Sequence, residues 1–104
     1  MSFVLIDAFA VPVDALEVFR ARSLISQTLV KTLPGFVEGY VHEQVAGDGP
    51  YTVVTTAVWE DEGAFMAARK IVADEYVRLG LNIPAFLNQH GITLVRGQYT
   101  RSPY

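Results

Sequence analysis

Asp7, Thr55 and Trp59 are the residues whose types and positions best suit chemistry on a small molecule. All three lie in predicted strands at odd-numbered positions, and side chains alternate between the two faces of a strand. Thr55 and Trp59 therefore share a face, and Asp7 joins them if the strands pair in a suitable register. Because a carboxylate in an apolar pocket accepts a proton readily, we predict a proton acceptor, a polar anchor and an aromatic wall.

Asp7 and Trp59 each have a structural alternative. Asp7 interrupts the apolar run FVLIDAFAV, and a buried carboxylate must be paired, hydrogen-bonded or open to a cavity. It is therefore either a base or a structural carboxylate held by an arginine or a backbone donor. Trp59, the only tryptophan, is either a pocket wall or a core residue, since aromatic rings dominate core packing.

Four other side chains are candidates for contact with a ligand or a partner. Arg69 follows Ala68 on the predicted buried stripe of a helix, where it could neutralise a phenolate or carboxylate; the alternative is a solvated arginine. His90 ends a short helix whose negative terminus favours the charged imidazole. It is either a proton shuttle or a surface cap. Phe65 is expected to contact the ligand, and His42 to form an interface hydrogen bond.

Composition narrows the class of protein. The 104 residues predict a single domain spanning 1–104. Hydrophobic residues make up 51% and charged residues 18%, so apolar surface should remain after one copy folds, which favours a homodimer. The net charge of −3 argues against a nucleic-acid partner. With no apolar run of membrane-spanning length and no signal-peptide pattern at the start, we expect a cytoplasmic protein without membrane contact.

The chain has no motif for a bound metal or cofactor. It contains no cysteine, so thiolate chemistry and disulfides are excluded. His42 and Glu43 lack a third ligand at a sensible spacing. A Gly-rich phosphate loop, a Ser/His/Asp triad and a flavin fingerprint are all missing. We therefore expect chemistry without a cofactor.

The residues at 51–81 predict a strand that leads directly into a helix. Further strands are predicted at 3–11, 36–45 and 92–100, with helices at 14–33 and 82–90. Asp14 with Glu17 is expected to form a capping box, while the acidic residues at 60–62 and Gly80 bound the second long helix. The first helix is predicted to bury Leu16, Phe19, Ile25, Leu29 and Leu33, with Arg20, Arg22 and Lys31 on its other side.

This order of elements predicts a ferredoxin-like α+β sandwich, a four-stranded antiparallel sheet with helices on one face. The first strand is apolar on both faces, yet helices cover only one of them. A second copy of the same sheet is the simplest cover for the other face. We therefore expect a homodimer with its sheets packed face to face.

Several stretches resemble the antibiotic biosynthesis monooxygenase family of dimeric α+β barrels. The matching segments are VLIDAFAVP, LPGFVEGYV and VVTTAVWEDEGAFMAA. The resemblance implies one pocket per subunit between helices and sheet. The family includes cofactor-independent oxygenases of polycyclic phenols, haem-degrading enzymes, small isomerases and members without known activity.

The resemblance assigns roles to four positions. Trp59 matches the family's pocket tryptophan. Thr55 stands where phenol oxygenases have an asparagine, and Asp7 where haem-degrading members have one. Their haem-ligating histidine corresponds to Arg69, so iron would lack its expected ligand.

We therefore predict a cofactor-independent monooxygenase that uses O2 on a small aromatic, phenolic or quinone-type molecule. Asp7 would be the base, Trp59 the stacking wall, and Thr55 and Arg69 the anchors. Haem degradation and a non-catalytic ligand-binding dimer are the alternatives. The identity of the substrate does not follow from the sequence.

Overall fold

A computed structural model describes residues 2–104 and places four strands and three α-helices in the predicted order. A 3₁₀ turn at Val13–Ala15 precedes the first helix. The elements are β1 (Phe3–Ala10), α1 (Leu16–Val30), β2 (Phe36–Glu43), β3 (Val53–Trp59), α2 (Glu62–Leu79), α3 (Ile83–Gln89) and β4 (Thr93–Tyr99). Strand ends differ from the predicted ones by up to two residues, as expected where elements fray.

The four strands form one antiparallel sheet in the order β2-β3-β1-β4. The hairpin partners β2 and β3 are neighbours, and β1 lies between β3 and β4 because each helix carries the chain past one strand. This arrangement confirms the predicted ferredoxin-like α+β sandwich. A register shift between Phe36 and Glu38 puts Val37 outside the regular pairing.

Local sequence signals explain most helix ends. Asp61 accepts a hydrogen bond from the Ala64 amide at 2.7 Å, and Asn82 caps α3 through the Ala85 amide at 3.0 Å. Gly80 ends α2 with φ 72, a conformation that glycine adopts without strain. The capping box predicted at Asp14 is wrong. Asp14 lies inside the 3₁₀ turn, so the α1 N-cap is Ala15, without a side-chain cap.

The buried stripe of α1 differs from the prediction in two places. Ile25 is 41% exposed, whereas Arg22, expected on the outer side, is partly buried. Phe19 is buried as predicted. The helix is therefore rotated so that its inner surface includes Arg22 and Ser26, because contacts with α2 and α3 compete with hydrophobic spacing for the orientation of the helix.

The helix-facing side of the sheet holds two separate hydrophobic clusters. The first cluster consists of Val11, Ala15, Phe19, Val53, Phe86 and Ile92, with Phe9, Leu16 and Leu87 against it. The second cluster consists of Trp59, Phe65 and Ala68, with Phe3, Leu5, Val30, Leu33, Phe36 and Ala57 against it. The first cluster lies at the Phe9 end of β1 and the second at the Phe3 end, so the middle of β1 separates them.

No helix formed by residues 2–104 covers the opposite side of the sheet. Strand pairing puts Val4, Ile6 and Ala8 on this outer face, together with the exposed Val95 and Tyr99. His42 lies on it as well, as predicted. No helix among residues 2–104 is long and apolar enough to cross a membrane.

Candidate functional site

Asp7 occupies the centre of the helix-facing surface. Its Cα is paired with Thr55 on one side and with Arg96 on the other, while Phe3 of the same strand is paired with Trp59. Directly paired residues share a face of the sheet. The prediction that Asp7, Thr55 and Trp59 face the same side is therefore confirmed.

Asp7 forms a two-point ion pair with Arg96. Arg96 Nε donates to Oδ1 at 2.7 Å and Nη2 donates to Oδ2 at 2.9 Å. The Asp7 side chain is 9% exposed and that of Arg96 46%. Hydrogen bonding to Asp7 is the main cause that raises the pKa of Arg96, with burial opposing it. Of the two alternatives left open for Asp7, the arginine pairing is present, and both its oxygens are engaged.

Polar side chains of α1 and α2 continue from this ion pair through Tyr76. Tyr76 of α2 contributes to the raised pKa of Arg96 and shares a hydrogen bond with Ser26 of α1. Along α1, Arg22 and Ser26 lie between Phe19 of the first cluster and Val30 of the second. We call the set Asp7, Thr55, Arg96, Arg22, Ser26 and Tyr76 the polar layer.

Arg22 is the cation of the polar layer without a carboxylate partner among residues 2–104. Its Cζ lies 4.1 Å from the centroid of the Phe86 ring, a cation–π geometry. Its Nη1 atom is buried and has no hydrogen-bond acceptor in the described structure. A buried donor without an acceptor is rare and costly.

Trp59 is a core residue of the second cluster. It is 3% exposed, with the Phe36 ring edge-on at 5.4 Å and the Phe65 ring at 6.4 Å. Phe65 also stacks on Phe3 at 4.9 Å. Four strand positions separate the Trp59 row from the Asp7 row, about 13 Å along the sheet. The core alternative thus describes Trp59, and its indole does not form a wall beside Asp7.

Arg69 and His90 lie away from Asp7. Arg69 is exposed on α2 and takes part in no ion pair within residues 2–104, so the expected lean toward a pocket is not observed. His90 is the C-cap residue of α3 and packs its ring 4.7 Å from Phe86. It is thus associated with the first cluster, whereas Trp59 and Phe65 belong to the second.

A cleft of about 330 Å³ lies between α1 and β2. Its apolar floor includes Phe19, Val41 and Val53, and Ser23 and Gln27 line its α1 side. Val41 is paired with Thr55, so the strand row at its floor continues through Thr55 and Asp7 to Arg96. The cleft therefore lies at the β2 end of the strand row that carries Thr55, Asp7 and Arg96. We call it the α1–β2 cleft.

An exposed ion pair stands at the rim of this cleft. Arg20 donates from Nε and Nη2 to the two carboxylate oxygens of Glu43, at 2.8 and 2.6 Å. These hydrogen bonds lower the pKa of Glu43 and raise that of Arg20. Within residues 2–104, no group of three or more His, Asp or Glu side chains could hold a metal ion.

Sequence reasoning missed Arg96, Arg22 and Tyr76. Alternation in ITLVRGQYT placed Arg96 on one face with Leu94, which was an available signal. Nothing in the sequence specified that Arg96 would stand opposite Asp7, because that pairing joins strands 89 residues apart. Tyr76 follows Phe65, Ala68 and Val72 at helical spacing, which indicates a core residue, whereas its hydroxyl forms a hydrogen bond with Ser26.

Solved structures with the same fold include oxygenases. SnoaB, a cofactor-independent oxygenase from Streptomyces nogalater, is 20% identical, with a TM-score of 0.74 over 99% of this chain and 95% of that one. A haem-degrading protein from Mycobacterium tuberculosis is 24% identical, with a TM-score of 0.61 over 92% and 91%. A ferredoxin-like DABB family protein from Mesorhizobium loti is 12% identical, with a TM-score of 0.66 over 97% of each chain.

No protein-family model and no curated protein matches the chain. Structural likeness at these identities shows the fold alone. The chain therefore has the ferredoxin-like α+β fold that a cofactor-independent oxygenase, a haem-degrading protein and a DABB family protein share.

Proposed function

We propose that this protein is a cofactor-independent monooxygenase that acts on a small aromatic, phenolic or quinone-type molecule between helices and sheet. The observation that carries the proposal is the Asp7–Arg96 ion pair, whose carboxylate is buried between two hydrophobic clusters on the strand row that also holds Val41 of the α1–β2 cleft. Charged residues on an apolar interior surface are costly to keep there and are typical of functional sites. The fold of SnoaB supports the same reaction class.

In the proposed arrangement the ring of the substrate enters the α1–β2 cleft and its hydroxyl reaches the polar layer. The apolar floor at Phe19, Val41 and Val53 suits an aromatic ring. Asp7 accepts the phenolic proton, and Arg96 then stabilises the phenolate with its remaining N–H groups. Thr55, between Asp7 and Val41, donates a hydrogen bond. Trp59 and Phe65 support the site from the second cluster.

The reaction balances without a cofactor. The phenolate transfers electrons to O2, and the ring carbon para to the hydroxyl acquires one oxygen atom. The other oxygen atom leaves as water, so that phenol and O2 give quinone and water. The substrate supplies all four electrons, which is why an electron-rich ring is required.

Haem degradation fits the residues poorly. The helix position implied for the iron-ligating histidine holds Arg69, and a guanidinium is not among the haem ligands of proteins. A non-catalytic ligand-binding dimer is the remaining alternative, because the same cleft could hold a molecule without oxidising it. Ligand binding without oxygen consumption would favour that alternative.

The decisive measurement is oxygen uptake by the purified protein with electron-rich phenols that carry hydrogen para to the hydroxyl, including hydroxylated anthraquinone precursors. We expect Asp7→Ala to lower turnover at least about a hundredfold, the lower range for loss of a general base. Trp59→Phe should have a smaller effect, because Trp59 lies in the core. Arg78→Gln, an exposed change on α2, serves as the control. Full turnover by Asp7→Ala, or no uptake with any electron-rich phenol, would refute the proposal.

We also propose a homodimer that covers the outer face of the sheet. β1 and β4 place Val4, Ile6, Ala8, Val95 and Tyr99 on that face, and no helix of residues 2–104 covers it. Val95→Glu, which puts a charge on it, should yield monomers in sedimentation velocity. Val77→Glu introduces the same charge at an 80% exposed position of α2 and should not. A monomeric wild type would contradict the proposal.

A further inference from the structure

Arg22 is a partly buried cation that the proposed reaction does not use. The polar layer contains two guanidinium groups, Arg22 and Arg96, and one carboxylate, Asp7. Both oxygens of Asp7 are bonded to Arg96. Arginine stays protonated at all relevant pH values, so the layer carries one positive charge that has no anion in the described structure.

The Phe86 ring provides a cation–π contact for Arg22 but no hydrogen-bond acceptor. The ring lies 4.1 Å from Arg22 Cζ and covers one face of the guanidinium. Nη1 is buried without an acceptor, and its in-plane N–H groups cannot be satisfied by a ring below the plane. An oxygen atom placed in that plane would satisfy them. The guanidinium is thus prepared to bind an acceptor between the helices and the sheet.

The position of Arg22 links it to the α1–β2 cleft. Ser23, the next residue, lines the cleft, and successive residues of an α-helix point about 100° apart. Phe19, three residues before Arg22 and its neighbour on the helix surface, lines the cleft as well. A molecule that extends from the cleft beneath α1 would bring its far end to Arg22.

We infer that Arg22 recognises the carboxylate of an aromatic acid, so that the ligand of this protein is an organic anion. A carboxylate matches the planar fork of a guanidinium and supplies the missing negative charge. The inference deepens the proposed function, on which it rests for the location of the ligand. Arg22 is in this scheme a specificity-determining residue and does not take part in proton transfer.

Anaerobic binding of two probes of the same shape tests the inference, 6-hydroxy-2-naphthoate and its neutral carboxamide. We expect the wild type to bind the carboxylate about ten- to a hundredfold more tightly, the range expected for a charge-assisted hydrogen bond. Arg22→Gln should abolish this preference and Arg22→Lys should retain part of it. Arg78→Gln should leave it unchanged. Isothermal titration calorimetry gives the affinities, and circular dichroism checks that each variant is folded.

The affinities of the wild type for the two probes are sufficient to refute the inference. The test therefore does not depend on whether the Arg22 variants fold. Equal affinity for the two probes, or no binding of the carboxylate, would show that a water molecule or nothing satisfies Arg22. An unchanged preference in folded Arg22→Gln would do the same. Because binding is measured without O2, a carboxylate preference in a protein that consumes no oxygen would support this inference and refute the oxygenase proposal.

Discussion

Two ion pairs of the same geometry occupy very different places in this molecule. Arg96–Asp7 and Arg20–Glu43 each join two elements through paired hydrogen bonds from Nε and Nη2. The carboxylate of the first is 9% exposed, whereas that of the second is 39% exposed. Water competes with the second pair and screens it, so it contributes little to folding. The first pair lies where removal of one partner leaves an uncompensated charge.

This difference in exposure indicates that the two ion pairs have different roles. A rim pair can be lost or replaced at small cost, and it helps to hold β2 near α1. A buried pair is weak evidence for stability, since apolar residues of similar size would fold as well. The fold alone therefore does not explain its presence between two hydrophobic clusters, and the proposed function supplies a reason for it.

The largest effect should come from Asp7→Ala compared with Glu43→Ala. Asp7→Ala leaves Arg96 and Arg22 without any carboxylate in the polar layer. We expect it to lower the free energy of unfolding by about 2 kcal/mol, less than for a fully buried pair because Arg96 can turn toward water. Glu43→Ala should cause a much smaller loss. Urea denaturation measures both, and equal losses would remove the distinction between the pairs.

Replacement of the whole buried pair separates folding from function. The free energy of unfolding of the double variant Asp7→Leu with Arg96→Met should lie within about 1 kcal/mol of the wild-type value, because apolar side chains replace both charges. Its oxygen uptake should nevertheless be lost. Thermal denaturation and oxygen consumption are measured on the same sample. If the double variant is far less stable than Asp7→Ala, the pair is a structural requirement of the fold.

A substitution at Val41 can fill the α1–β2 cleft without changing a residue of either ion pair. Val41 lines the cleft and is 40% exposed, so Val41→Trp should place an indole inside it. We expect binding of 6-hydroxy-2-naphthoate to weaken about tenfold, with stability changed by no more than about 0.5 kcal/mol. Val45→Trp, at a fully exposed turn position, is the control. An unchanged affinity of Val41→Trp for 6-hydroxy-2-naphthoate would show that the ligand does not bind in the cleft.

The smallest expected effect is on the pH dependence of stability that the Arg20–Glu43 pair causes. Arg20 lowers the pKa of Glu43 below its ordinary 4.5. The stabilisation is therefore present above that ordinary value and is lost as pH falls through the lowered pKa, because the unfolded chain binds the proton first. Glu43→Gln should flatten this acid-side decline in melting temperature. Identical pH profiles for Glu43→Gln and wild type would show that the pair contributes nothing to folding.

Most of the fold could be predicted from local signals in the chain. Asp61, Asn82 and Gly80 carry their own capping chemistry, and alternation along 51–59 assigns faces without any partner strand. The failures lie where two local signals compete. Asp14 has the type of a capping residue, but the turn that follows Pro12 occupies its position. Ile25 fits the helical spacing, but packing against the other helices rotates it outward.

The candidate site was predictable in its elements and unpredictable in its pairings. The sequence by itself determined the order of strands and helices, the face shared by Thr55 and Trp59, and the presence of a carboxylate inside an apolar strand, because these depend on residues near one another in the chain. Only the tertiary structure decided that Asp7 joins that face, that Arg96 neutralises Asp7, that Trp59 is enclosed in a cluster, and that Arg22 Nη1 lies buried without an acceptor in the described structure. Those facts depend on contacts between distant segments, whose register and helix rotation are set by the packing of the whole domain.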